Sequence, residues 1–249
     1  MFYFFRTCTS SKKKGGTKSL VDRAAARLNL FYDAIFIDEF QDFRNHDYEL
    51  ITKLFKKINN VIMVGDYYQH SVSAKNNSGK PFKKNDKHIS YEEFIDEIKK
   101  LGTQKKPIEI DTTTLAKSRR CSFEICEYIS HKLGIKIDSY GKHKGHVILV
   151  DSNAQEILND NSIIKLVYKN AAKYSFRAMN WSYSKGDTVD AACVILPQSL
   201  NSFSDDIFSL EDIPTTTINK LYVAMTRSRG NLYIIRHSTF EKIKSQYII

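Results

Sequence analysis

Ile35-Phe36-Ile37-Asp38-Glu39-Phe40-Gln41-Asp42 decides how this chain of 249 residues is read. An apolar run delivers two adjacent carboxylates to its carboxyl end. Val61-Ile62-Met63-Val64-Gly65-Asp66-Tyr67-Tyr68-Gln69 repeats the arrangement, with Asn60 to Val64 as the strand. Between them, about Asp47 to Lys57 is predicted as a helix with Leu50, Ile51, Leu54 and Phe55 on one side. Such a β-α-β succession predicts an α/β fold with a parallel sheet and active residues at the strand tips.

Outward from this core, Met1 to Phe5 reads as a strand, followed by a polar Lys/Gly loop through Lys18 and a helix from Ser19 to about Leu30. Tyr32 to Ile37 reads as a buried strand. Ser73 to Ser90 loses periodicity and carries Lys75, Lys80, Lys83, Lys84 and Lys87, so a surface loop is expected. Tyr91 to Leu101 follows as an amphipathic helix, and Thr103 to Lys106 as a linker. A second β/α unit is expected to open with a strand from Ile108 to Leu115. Ser122 then caps a helix carrying Ile125, Tyr128, Ile129 and Leu133, and strands follow at about Val147 to Val150, Ala192 to Leu196 and Leu232 to Ile235. The expected domains are 1–106 and 107–249.

A composition of 42% hydrophobic and 27% charged residues is that of a globular protein. The net charge of +10, from 38 Lys+Arg against 28 Asp+Glu, favours a polyanionic partner. Cys8, Cys121, Cys126 and Cys193 match neither a zinc site nor a disulfide framework, which suits reduced thiols in a cytoplasmic protein. No apolar stretch is long enough to span a bilayer, so no membrane association is expected.

The chemistry gathers in a few strings. Adjacent carboxylates beyond a strand suit two jobs: Asp38 holding Mg²⁺ through water, and Glu39 taking a proton from an attacking water. A solvated turn is the plain alternative. Asp66-x-x-Gln69 can bring an amide to a terminal phosphate. Arg119-Arg120 stands at a helix entrance, where a planar guanidinium can span two phosphate oxygens or merely make surface salt bridges. In Asn180-Trp181-Ser182-Tyr183-Ser184-Lys185-Gly186-Asp187, Lys185 and Gly186 form a turn suited to phosphates. Tyr67 or Tyr68 offers a ring on which a base can stack.

In their order along the chain, these strings resemble the motor of superfamily-1 DNA helicases of the UvrD/Rep type. Asp38-Glu39-x-Gln41-Asp42 is similar to motif II, Gly65-Asp66-x-x-Gln69 to motif III, Arg120 with its flanking residues to motif IV, Lys185-Gly186 with Asp190 to motif V, and Tyr222-Val223-Ala224-Met225-Thr226-Arg227 to motif VI. The resemblance implies two RecA-like lobes around ATP and Mg²⁺: Asp38 on the metal, Glu39 as general base, Gln41 linking nucleotide to DNA, Gln69 sensing the γ-phosphate and Arg227 as an arginine finger. Gly65, Asp66 and Thr188 fall in the nucleotide-binding strings. The chain departs from the family where His70-Ser71-Val72 follows motif III, Arg119 replaces a tyrosine in motif IV and Thr188 takes a glutamate slot in motif V.

No Gly-x-x-x-x-Gly-Lys-Ser/Thr loop occurs in the sequence. Lys12 to Ser19 is lysine- and glycine-bearing, but Thr17 stands where glycine must precede the lysine. The expectation is therefore a partial first lobe, a complete small second lobe, and single-stranded DNA as partner. ATP turnover as a helicase or translocase would need an upstream polypeptide to supply the phosphate loop. The alternative is a catalytically inactive module that binds DNA or a partner.

Overall fold

The computed structural model describes residues 19–70, 79–85, 87–104 and 107–249, in two units, Met1–Ile110 and Asp111–Ile249. The expected strand at Met1 to Phe5, the Lys12 to Lys18 segment, Cys8 and Lys75 lie outside the described residues.

In the first unit, α1 (Leu20–Phe31) begins at Ser19, whose hydroxyl accepts from Asp22 N–H while the Asp22 carboxylate accepts from Ser19 N–H. This reciprocal cap satisfies two otherwise unpaired donors. α1 packs Val21 and Ala25 against Leu50, Leu54 and Ile58, the first two on α2 (His46–Phe55). Strands β1 (Ile35–Ile37) and β2 (Val61–Met63) pair in parallel, Ile35 opposite Val61 and Ile37 opposite Met63. Alternation along a strand sends Ile35 and Val61 into the helix-packed cluster, and Ile37 and Met63 into a second, aromatic one. Phe36 and Ile62, also paired, point the other way and are 73% and 47% exposed, which corrects the expectation of a buried strand.

The loop expected from Ser73 to Ser90 is partly structured. Phe82 is fully buried and Ile89 nearly so, either side of a hairpin of β3 (Lys83–Lys84) and β4 (Lys87–His88). Lysines alternating with Asn and Gly masked these two anchors in the sequence. α3 (Tyr91–Lys99), capped reciprocally by Ser90 and Glu93, closes the aromatic cluster with Phe94 and Ile98.

The second unit opens without the expected strand at Ile108 to Leu115. Asp111 Oδ1 accepts from Thr113 N–H, Thr113 Oγ1 and Thr114 N–H, turning a β-branched run into a loop. β5 (Lys117–Ser118) leads to α4 (Phe123–Leu133), with Ser122 as N-cap, and β6 (Asp138–Ser139) pairs with β5. Five parallel strands form the main sheet: β7 (Val147–Val150), β8 (Ile164–Val167), β9 (Ala178–Asn180), β10 (Ala192–Ile195) and β11 (Leu232–Ile235), in the order β7-β11-β10-β8-β9. β8 and β9 escaped the sequence reading, β8 because Lys165 interrupts an otherwise apolar run. That lysine is fully buried and its ammonium donates to the Asp160 carbonyl.

Both faces of this sheet are covered. Cys193, Ile195 and Ile235 pack with Ile157 and Leu158 of α5 (Ala154–Asn159) and with Phe240 of α7 (His237–Glu241). Ala192 and Val194, equally buried, point to the opposite face, where α6 (Thr215–Met225) packs on β10 and α4 packs on β7. The α/β class and parallel sheets agree with the sequence expectation.

Candidate active site

Beyond β1 and β2 the ladder continues for one more step: Val64 N–H donates to Ile37 O at 2.8 Å and Phe40 N–H to Val64 O at 2.9 Å. The two strand-end loops are thus fastened side by side. Glu39 adopts a left-handed backbone, φ 51° and ψ 43°, a conformation that is costly outside glycine and is stored where surrounding contacts hold it. Its N–H donates to Asp38 Oδ1 at 2.7 Å, and its carboxylate accepts from Gln41 Nε2.

Gln41 is the hinge pin of this arrangement. It is 2% exposed, and its Oε1 accepts from Asp66 N–H at 3.0 Å. Asp66 Oδ1 in turn accepts from Tyr68 N–H and Oδ2 from Gln69 Nε2, both at 2.9 Å. A hydrogen-bonded chain therefore runs Glu39, Gln41, Asp66, Gln69. Gly65 makes it possible, since a Cβ there would stand 2.5 Å from Gln41 Oε1. Asp38, Glu39, Gln41, Gly65, Asp66 and Gln69, chosen from sequence, are brought together.

The two tyrosines part company. Tyr67 is 8% exposed, its hydroxyl donates to Ile89 O, and its ring contacts His70, Phe82, Tyr91 and Phe94. Burial pushes that hydroxyl up to about 12. The expectation that Tyr67 stacks on a base is corrected, because its ring is a core element. Tyr68, half-buried and stacked on Tyr91 at 5.9 Å, remains the candidate.

In the second unit the cationic strings converge. Arg120, between β5 and α4, donates from Nε to Thr188 Oγ1 at 2.7 Å and from Nη1 to Thr226 O at 3.0 Å. Val189 and Ser228 form a parallel bridge, so the Lys185 to Asp190 segment runs beside the end of α6. Arg227 is 2% exposed and donates from Nε to Val223 O at 2.7 Å, from Nη2 to Thr226 Oγ1 at 2.8 Å and from Nη1 to Ser184 O at 3.4 Å. The expected finger is thus folded back onto the Val223 carbonyl of α6 and the Ser184 carbonyl beside it, near the helix end, where a cation offsets the helix dipole. Trp181, fully buried with Nε1 on Leu166 O at 2.9 Å, anchors the turn that presents Lys185, half-buried, and Gly186, exposed with φ 85°. The Cys121 thiol, hydrogen-bonded with Cys126 and facing Arg120 and Arg227, is drawn down to about 7.

Sequence reading did not single out Thr226 and Ser184 as partners of these arginines, nor His143 and Arg229, which line a cleft with Arg119, Arg120 and Thr188. No signal in the sequence joined His143 to Arg229, which lie far apart along the chain and line the same cleft. Cys121, Cys126 and Cys193 are free thiols, as expected. Among the described residues no cluster of three or more His, Cys, Asp or Glu could hold a metal, and no helix is long and apolar enough to cross a membrane. A magnesium ion bound chiefly through substrate phosphates and water needs only one or two carboxylates, and Asp38 at the strand tip fits that donor set.

Residues 4–71 match the UvrD/REP helicase N-terminal domain family. Among solved structures, an arterivirus nonstructural protein 10 (helicase) in complex with DNA is 13% identical over 82% of this chain and 40% of its own, with a TM-score of 0.48. A crystal structure of arterivirus nonstructural protein 10 (helicase) is 12% identical over 94% of this chain and 56% of its own, TM-score 0.46. The chain thus spans about half or less of the length of these proteins. Among the curated proteins, no sequence matches. The segment that is similar to the UvrD/REP helicase N-terminal domain holds Asp38, Glu39, Gln41, Asp66 and Gln69.

Proposed function

We propose that this chain is the acid- and arginine-bearing part of an ATP-dependent DNA helicase or translocase, completed by a phosphate loop that these 249 residues do not contain. The observation that carries this reading is the hydrogen-bonded chain from Glu39 through Gln41 and Asp66 to Gln69, at the carboxyl ends of two parallel strands. It joins a general-base candidate to a phosphate-sensing amide through one buried side chain, so a change at either end reaches the other.

In this reading Asp38 holds Mg²⁺ through water, and the ion neutralises charge on the phosphate oxygens. Glu39 takes the proton from the attacking water, its carboxylate held in place by Gln41. Gly65 and Asp66 shape the loop that aims Gln69. Arg120, steadied by Thr188, meets phosphate charge, and Arg227 would have to leave Val223 O and Ser184 O to act as a finger. Tyr68, Lys185 and Gly186 contact single-stranded DNA.

The test is DNA-stimulated ATP turnover after mixing the chain with a first-lobe segment of a UvrD/REP-type helicase that bears the phosphate loop. Turnover that appears on mixing and falls about 10²-fold or more with Glu39→Gln supports the reading. Turnover indifferent to Glu39→Gln would remove it. No turnover on mixing, with DNA binding retained, would leave the inactive binding module.

A further inference from the structure

The buried thiols of the second unit have chemistry that the proposed motor roles leave unused. Ser122 caps α4, its hydroxyl accepting from Ile125 N–H, and Cys121 and Cys126 stand directly before that cap and one turn past it. A capped helix folds these two positions against each other, usually to pack an apolar pair. Here the pair is two thiols, 1% and 2% exposed, and neither is in a disulfide. Cys193, by contrast, packs with Ile157, Leu158 and Ile195 in a cluster that contains neither of the other two.

The two sulfurs are not equivalent. Cys126 S–H donates to Cys121, and this bond draws the Cys121 thiol down to about 7 against the effect of burial, with Ser118, Arg120 and Arg227 adding to it. The same bond, together with burial, pushes the Cys126 thiol up. One sulfur is therefore prepared as a thiolate nucleophile while its neighbour keeps the proton. When protonated, Cys121 donates to Thr226 O at 3.6 Å, the carbonyl that also accepts from Arg120 Nη1 at 3.0 Å. Thr226 Oγ1 accepts from Arg227 Nη2 at 2.8 Å. The state of one sulfur thus reaches both arginines through a single residue.

We propose that Cys121 and Cys126 are a reversible dithiol–disulfide pair, oxidised by a hydroperoxide, whose closure takes Cys121 off the Thr226 carbonyl and loosens the end of α6. The Cys121 thiolate attacks one peroxide oxygen and the O–O bond breaks; the leaving oxygen takes up the proton that Cys121 gave off, and Cys121 carries a sulfenic acid. The Cys126 sulfur then displaces the hydroxyl: an S–S bond forms, the S–O bond breaks, and water departs with the Cys126 proton. An external dithiol restores the pair by exchange. Burial makes the oxidation slow, because the peroxide enters only when Arg120, on the wall of the neighbouring cleft, swings aside. The inference is independent of the proposed motor function, since it needs neither nucleotide nor DNA.

The full chain carrying Cys8→Ser would be exposed to hydrogen peroxide under native conditions, alkylated, digested with trypsin and followed by mass spectrometry. The peptide from Cys121 to Lys132 holds both sulfurs. It should appear unalkylated and two hydrogens lighter, and be restored by dithiothreitol, while Cys193 stays reduced. Cys126→Ala should prevent closure and leave a sulfenic acid on Cys121 that dimedone traps; if that variant does not fold, Cys126→Ser replaces it with the same expectation. Hydrogen exchange at the Thr226 and Arg227 amides should be about tenfold faster in the oxidised chain than in the reduced one. Cys121 and Cys126 remaining reduced throughout, Cys121 driven to sulfonic acid beside a free Cys126, or a disulfide with unchanged exchange at the end of α6 would overturn the proposal.

Discussion

The two candidate regions solve the same placement problem with opposite means. In the first unit, acids and amides stand on strands of three residues whose outward face leaves Phe36 exposed, and a buried glutamine holds the loops together. In the second, arginines stand around a five-stranded sheet covered on both faces, and main-chain carbonyls hold them. The first region therefore depends on a few side-chain hydrogen bonds for its shape, whereas the second takes its shape from the sheet. Changes to polar side chains should distort the first locally and unsettle the second only where a buried cation is removed.

The largest effect that this contrast predicts falls on Arg227. Arg227→Ala strips hydrogen bonds from Val223 O and Thr226 Oγ1 at the end of α6 and from Ser184 O, and should lower the stability of the second unit by about 2–4 kcal/mol. Arg227→Lys should recover only part, since an ammonium cannot reproduce the planar donor set. Arg120→Ala, at a half-buried position, should cost about 1 kcal/mol. Urea unfolding monitored at Trp181 would check the order, and equal losses for the two alanine variants would erase the difference between a structural and a ligand-facing arginine.

Acid should strike the first unit first. His70 stacks on Phe82 at 4.2 Å, and burial, aided by nearby His88, holds its pKa down to about 3 from an ordinary 6.5. The unfolded chain therefore takes up a proton below pH 6.5 that the folded one refuses, so this contribution is complete above 6.5 and is lost as pH falls toward 3. Between pH 7 and pH 5 the loss should be about 2 kcal/mol. His70→Phe should flatten the pH dependence, measured by hydrogen exchange at amides of α3; an unchanged slope would place the acid sensitivity elsewhere.

A smaller effect belongs to Gly65. Gly65→Ala forces Gln41 Oε1 away from Asp66 N–H and should cost about 1–2 kcal/mol, while Gly186→Ala, with nothing near its Cβ, pays only for its left-handed backbone, about 1 kcal/mol. Thermal melts of the two variants would sharpen the comparison. A harmless Gly65→Ala would mean that the Glu39 to Gln69 chain tolerates rearrangement.

Legibility followed periodicity. The strands ending at Ile37 and Met63 and the acids beyond them could be read because apolar run and polar tip adjoin in sequence. β8 could not, since buried Lys165 finds its acceptor in the main-chain carbonyl of Asp160, which no side-chain pattern announces, and Phe82 could not, since its neighbours spell a loop. Tyr67 looked like a stacking residue because sequence carries no sign of which of two adjacent rings faces the core. The cleft at His143 and Arg229 was hidden for a similar reason: its walls come from segments far apart in the chain.

The most direct measurement is ATP turnover with single-stranded DNA present, for wild type and Glu39→Gln, with and without the loop-bearing segment. The account predicts little or no turnover by the chain alone, because carboxylates and arginines cannot replace the lysine and backbone donors that hold β- and γ-phosphates, and turnover on mixing that Glu39→Gln abolishes. Robust turnover by the chain alone, lost in Glu39→Gln, would contradict it and make Lys12 to Ser19 a working phosphate loop.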